Sequence, residues 1–317
     1  MKRIVKVHLI TNCTSNKRKF SSKPRVELGG IKSNNLLDVK NWLNLLHRNE
    51  EKIVAFDLYL GDHWSIARDI YQQDRYVWVI SAGWGLINIE TPIYPYDATF
   101  AKGEFNSVAY SDPQNSVIEQ NRKWWNTLQK NRILDFSIEK IFDDFSEDYF
   151  FIAVSPQYIK VIEPELVELK RNGVITSKNT FIITSGKGLQ EPLQELQYLV
   201  SEDFCSILGG SRTSLNIRLA RYLIDGCDIS GDVQEFVASK YSLLCESSEP
   251  AKKYDRSKLT DEEVITFIKK VITLGKVCSA TAGLKELRSE GMACEQKRFG
   301  RLFKVVREEL NLGDIQP

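Results

Sequence analysis

Apolar positions along the chain switch between two repeats, and the switches mark out its elements. Residues 3–10 alternate and are rich in Val and Ile, the period-two pattern of a strand. Residues 34–48 put Leu36, Leu37, Val39, Trp42, Leu43, Leu45 and Leu46 on one broad face, which predicts a helix. Residues 53–59 predict a second strand and 63–73 a second helix. Tyr76–Ser81 is apolar nearly throughout, as expected of a strand covered on both faces. Residues 115–132 predict a helix anchored by Trp124 and Trp125. Strands follow at 149–155, Thr180–Thr184 and 204–208; helices follow at 163–172, near 191–200 and at 213–224, the first of them stopped by Gly173. Strands alternating with helical crossovers predict an α/β fold on a mostly parallel, doubly wound sheet.

The pattern changes after residue 246. Residues 247–258 are polar and aperiodic and read as a linker between an α/β domain at 1–246 and a small all-α module at 259–317. In that module Asp261–Thr273, 279–290 and 295–310 predict three helices, with Gly275 and Gly291 as breaks. From residue 252 onward there are 14 Lys and Arg against 10 Asp and Glu. The last helix concentrates the excess in Lys297, Arg298, Arg301, Lys304 and Arg307, while Phe299, Leu302, Phe303 and Val306 face inward. Basic residues at these spacings share an exposed side that can neutralise phosphates. The arrangement fits a helix-turn-helix-like nucleic-acid-binding module, although a helical cap or dimerisation element would use the same pattern.

Composition narrows the class. With 42% hydrophobic and 27% charged residues the chain is an ordinary globular protein. Its longest apolar runs fall far short of the ~20 residues a membrane span needs, and no signal peptide is evident at the N-terminus, so a cytoplasmic protein is expected. Six cysteines without a CxxC pair and three unpaired histidines argue against a disulfide framework, a zinc ribbon or a histidine metal centre; no cofactor is expected.

In open α/β sheets ligands bind beyond the carboxyl ends of the strands. Small and polar residues follow several predicted strands, giving Ser15, Ser81, Trp84, Gly85, Tyr96, Ser155, Ser185, Gly186, Lys187, Arg212 and Ser214 as candidate binding residues. Residues 210–214 open a helix and either hold an anion or simply cap it. Trp84 stands between two glycines, placed to stack on a planar ligand or to pack inward. The run at 185–188 lacks P-loop spacing, which disfavours a nucleotide triphosphatase. Cys13, flanked by Lys17 and Arg18, is the candidate nucleophile, since nearby cations favour the thiolate. Asp97 is either an acid–base group or a turn residue after Pro95.

A Cys-x-Ser-x-Lys motif (Cys13, Ser15, Lys17), an Ile-Ser-Ala-x-x-Gly-Leu motif (Ile80, Ser81, Ala82, Gly85, Leu86) and a Pro-Tyr-Asp motif (Pro95, Tyr96, Asp97) together resemble the YaaA-like superfamily. With the basic tail, the chain is most similar within it to the DpdC proteins of bacterial clusters that insert 7-deazaguanines into DNA. The resemblance implies a metal-independent nitrile hydratase converting 7-cyano-7-deazaguanine in DNA to the 7-amido form, alongside other proteins of such a cluster. It casts Cys13 as the nucleophile, Lys17 as its activating cation and Asp97 as a proton shuttle. Ser81, Trp84 and residues 185–188 would grip a base taken out of the stack. Two rivals use the same residues: a non-catalytic DNA-binding stress or defence protein, and a DNA base glycosylase relying on Asp97.

Overall fold

A computed structural model describes residues 5–18, 25–30, 39–48, 51–109, 114–131, 134–186, 188–251, 257–276 and 279–310. The chain divides into two compact units, Met1–Ala251 and Lys252–Pro317. Among the described residues no helix is long and apolar enough to cross a membrane.

The first unit is mixed α/β. Six strands form its central sheet: β1 (Val7–Asn12), β2 (Tyr76–Ser81), β3 (Gly85–Asn88), β4 (Tyr149–Ala153), β5 (Thr180–Thr184) and β6 (Gln197–Leu199). Their order across the sheet is β6-β5-β4-β1-β2-β3, parallel throughout except for the antiparallel β2–β3 pair. Residues Val7–Thr11, Val77–Ser81, Phe150–Ala153 and all of β5 are buried at successive positions. Both faces of the inner strands are therefore covered, which explains their continuous apolar runs.

Helices α1 (Val39–His47), α2 (Asp62–Tyr71), α3 (Val117–Lys130), α4 (Ile138–Asp144), α5 (Pro156–Arg171), α6 (Leu215–Ile224) and α7 (Val233–Ser247) supply that cover. They pack as two groups: α2 with α6 and α7, and α3 with α1 and α5, to which α4 is added. Ser116 and Glu119 start α3 with a reciprocal capping box. Two short strand pairings lie outside the central sheet. Val26–Glu27 runs parallel to Tyr96–Asp97, and Ile53–Val54 antiparallel to Pro92–Ile93.

Several predicted elements shift. Within 53–59 only Ile53–Val54 and the bridged Tyr59 are extended; Ala55–Leu58 is helical, because Phe56 and Leu58 turn back onto the core. The sixth strand is β6, in the stretch predicted helical at 191–200, where its backbone pairs with β5. Residues 204–208, predicted as that strand, are a short helix continuing a turn capped by Ser201 and ended by Gly209 at φ 63°. A five-residue apolar run reads alike in either state. Helix α5 begins at Pro156, ahead of its predicted start at 163, and carries Pro164 within it. Strand β3 and helices α4 and α7 have no counterpart in the sequence reading. Residues 34–38 of the first predicted helix and 252–256 of the linker lie outside the described residues.

The second unit holds three helices, α8 (Asp261–Thr273), α9 (Ala280–Ser289) and α10 (Gln296–Glu309), around a core of Val264, Phe267, Ile268, Leu287, Phe299 and Val306. Thr260 and Glu263 form a capping box on α8, and Glu295 caps α10 by accepting from the Lys297 and Arg298 amides.

Phe151 is fully buried and its ring stacks on Phe181 at 4.7 Å. Phe151→Ala is expected to lower the stability of the first unit by about 3–5 kcal/mol. All 6 tryptophans lie in that unit, so denaturant titration followed by tryptophan fluorescence reads it directly.

Candidate functional site

The strand order reverses beside β1. The chain adds β2 on one side, then returns to place β4 on the other. In open α/β sheets such a reversal opens a crevice at the carboxyl edge. Asn12 bridges it here, taking the Ser155 amide on its Oδ1 at 2.9 Å and donating to the Cys13 carbonyl. Thr11 donates to the Ala153 carbonyl at 2.9 Å, which leaves its oxygen to accept from His63 Nε2 at 2.8 Å. Burial pushes the His63 imidazole down to about 4.

Cys13 sits at this crevice, 4% exposed, with its sulfur 3.2 Å from the Tyr158 hydroxyl. Although Cys13 stands in a polar stretch of sequence, its thiol is out of bulk water, packed within the apolar core with the Tyr158 hydroxyl against it. Lys17 is also buried, at 3% exposed. Its backbone bridges Tyr59, and its ammonium lies 4.5 Å from the centre of the Tyr96 ring and 3.6 Å from an Asp97 oxygen. Burial lowers the Lys17 pKa, with Cys13 and Asp97 pulling the other way.

Asp97 is shared between cations. Arg25 donates to both of its oxygens, at 3.2 and 3.3 Å, and to the Lys17 carbonyl at 2.5 Å. The carboxylate serves as a counter-ion to both Lys17 and Arg25.

Ser81 organises the opposite wall. Its hydroxyl oxygen accepts from the Gly83 and Trp84 amides at 3.2 and 3.0 Å, filling both lone pairs. Its own proton then goes to the Tyr96 oxygen, 2.5 Å away, and Tyr96 donates to Tyr59 at 2.9 Å. Burial holds both phenols well above the usual tyrosine pKa, so they stay protonated. A Cβ on Gly83 would fall 2.3 Å from the Tyr96 ring, so only glycine fits there. Indoles cap the same turn: Trp124 donates to the Ala82 carbonyl and Trp42 to the Gly83 carbonyl, each at 2.7 Å.

The structure thus brings together Cys13, Lys17, Ser81, Tyr96 and Asp97. Others fall elsewhere. Trp84 is 6% exposed, meets His47 edge-on and donates to the Tyr94 carbonyl, so it packs inward and offers no face to a planar ligand. Gly85, at φ 77°, opens β3. Ser15 is exposed, and Ser155 stands at the start of α5. Ser185 and Gly186 line a cleft of about 590 Å³ with Arg122, Pro156, Ile159 and Glu163. Cys13, Lys17 and Asp97 are not part of its lining, which corrects the expectation of one shared cavity. Lys187 lies outside the described residues. Residues 210–214 follow no sheet strand. Arg212 pairs with Glu202 at 3.0 Å, and Ser214 donates to Asp62, which Arg218 also binds. These contacts make the segment a brace for the loop before α2 rather than an anion site.

The sequence reading missed Tyr158, Tyr59, Arg25 and the Thr11–His63 pair. Tyr158 had a usable signal, standing on the first helical turn after a strand end at Ser155-Pro156. Tyr59 was obscured by its assignment to a strand. In the second unit Lys297, Arg301 and Lys304 share an exposed face of α10. Arg298 is instead tied to Asp261 at 2.6 Å and the Leu259 carbonyl at 2.8 Å, which corrects its expected place on the phosphate-binding face. Among the described residues, no group of three His, Cys, Asp or Glu side chains is arranged to hold a metal ion.

Because His63 stays neutral when folded until about pH 4, the unfolded chain binds a proton first as pH falls through its ordinary value of 6.5. This group adds nothing to the pH dependence above that value, and stability drops between it and about pH 4. Partial exposure limits the loss to about 3 kcal/mol or less. His63→Gln is expected to flatten that part of a stability-against-pH curve measured by urea denaturation. Neither a family model nor a curated protein nor a solved structure matches the chain.

Proposed function

We propose that the first unit is a doubly wound, YaaA-like catalytic domain that hydrates an aromatic nitrile, with 7-cyano-7-deazaguanine in DNA as substrate and the 7-amido base as product. The observation that carries this reading is the charge balance around Cys13. Lys17, Arg25 and Asp97 sum to one positive charge, and the ammonium is held out of water near enough to interact electrostatically with Cys13. A buried uncompensated cation is costly, and a thiolate at Cys13 neutralises it.

The chemistry starts from that ion pair. The thiol proton resides on Lys17 as its ammonium, and burial, which lowers the Lys17 pKa, helps it give the proton up. The thiolate adds to the nitrile carbon, and this proton passes to the nitrile nitrogen as the C–S bond forms. Water adds to the resulting thioimidate carbon, one of its protons going to the nitrogen and the other back to Lys17, and the C–S bond breaks to release the amide and restore the thiolate. The net change is gain of one water. Asp97 and Arg25 hold Lys17 in place throughout.

The DNA-binding part of the proposal assigns the second unit as a helix-turn-helix-like module. The exposed row Lys297, Arg301 and Lys304 on its last helix supports this, with Arg307 and the inward-tied Arg298 as neighbours. Binding through phosphates alone is weak, salt-sensitive and indifferent to sequence. A glycosylase reading is weaker, because the carboxylate it would use is already paired with two cations.

Nucleoside mass spectrometry of 7-cyano-7-deazaguanine DNA incubated with the protein is expected to show the base heavier by one water. Cys13→Ala should abolish this product and Lys17→Met should cut its rate about 100-fold or more. Release of a free base, or no product, would overturn the reading. Replacing Lys297, Arg301 and Lys304 together by Ala is expected to weaken DNA binding and lower the slope of log K against log salt by about 3. Fluorescence anisotropy across a salt series measures it.

A further inference from the structure

The hydroxyl beside the sulfur becomes its donor once the sulfur is charged, and that gives it a role. Tyr158 stands on the first turn of α5, its ring edge-on to Phe100 at 5.0 Å. Thr99 accepts the Ala101 amide on its own hydroxyl oxygen, and its interaction with the Tyr158 hydroxyl works to lower the Tyr158 pKa. The phenol oxygen lies 3.2 Å from Cys13 Sγ; either group can donate in that contact while the sulfur is a thiol, and only the phenol can once the sulfur is a thiolate. Desolvation and the nearby thiol outweigh Thr99 and keep the phenol well above its ordinary pKa, so it stays protonated.

We propose that Tyr158 is a catalytic residue of the Cys13 site: its hydroxyl donates to the sulfur, favouring the thiolate and fixing the rotamer from which it attacks. This deepens the nitrile-hydration reading and rests on it only for the identity of the substrate. In the addition step the sulfur lone pair forms the bond to carbon, Lys17 supplies the proton to nitrogen, and Tyr158 keeps its own proton. As negative charge leaves the sulfur, the hydrogen bond weakens. It returns when the C–S bond breaks, so the same contact assists expulsion of the product. A hydrogen bond to a charged sulfur is stronger than one to a neutral thiol, which is why the donor acts on reactivity rather than on packing alone.

The test compares the full chain with Tyr158→Phe, which keeps the ring and its contact with Phe100, and with Thr99→Val, which removes the hydroxyl that acts on the phenol. Two reagents are used, iodoacetamide and 2-cyanopyrimidine, the first needing only a thiolate and the second a nitrile addition. Intact-protein mass spectrometry follows the adduct, with Cys13→Ala marking labelling at the other cysteines. Tyr158→Phe is expected to slow both reactions at Cys13 by about 10-fold or more, and Thr99→Val by a smaller factor. Labelling of the exposed Cys245 should stay unchanged in both variants. Wild-type rates in Tyr158→Phe, or an equal slowing at Cys245, would overturn the assignment. If Tyr158→Phe unfolds, the Thr99→Val rates decide alone, and no slowing at Cys13 counts against the proposal. Should the wild type react with both reagents in this Tyr158-dependent way yet leave 7-cyano-7-deazaguanine DNA untouched, the assignment stands and the substrate reading falls.

Discussion

An ammonium kept out of water is the constraint around which the first unit's polar edge is organised. Lys17 is 3% exposed, and an unpartnered charge at that depth would cost several kcal/mol. The answer is distributed over the chain. Asp97 arrives on a two-residue strand paired with Val26–Glu27, Arg25 shares that carboxylate, the Tyr96 ring lies below the cation, and Cys13 lies near enough to interact with it. Removing Asp97 or Arg25 changes the charge balance around Lys17, so these segments are energetically coupled although they are far apart in sequence.

Rigidity comes from the turn after β2. Ser81, Gly83, Trp42 and Trp124 satisfy its backbone with side-chain bonds, and the missing Cβ of Gly83 admits Tyr96. What looks like a binding motif in the sequence is therefore first a support. It fixes a hairpin, and through Tyr96 it fixes the floor under Lys17. Cys13 and Tyr158 stand on the other half of the edge, just past β1 and at the start of α5.

The sequence carried the architecture wherever burial was two-sided or periodic. β1, β2, β4 and β5 were legible as apolar runs, and the three helices of the second unit by glycine breaks and inward apolar residues. What it hid depended on partners remote in the chain. β6 is a strand only because β5 offers it an edge, and β3 exists because Ser81 folds the turn before it. In the site, Cys13, Lys17 and Asp97 could be named from residue type alone. Tyr158, 145 positions from the sulfur it touches, could not. Nor does residue type reveal that Arg298 spends its guanidinium on Asp261 and the Leu259 carbonyl, since it stands on the same basic helix as the exposed residues.

One consequence follows from the Ser81–Tyr96–Tyr59 series. Because two backbone amides occupy Ser81, the three O–H bonds line up head to tail, and reversing one would require reversing all. All three hydroxyls stand on residues with no exposed surface, so their orientation is set by the Gly83 and Trp84 amides and not by solvent. The ring over which the Lys17 ammonium lies is thereby locked in one pose, at the expense of three hydroxyls and no formal charge.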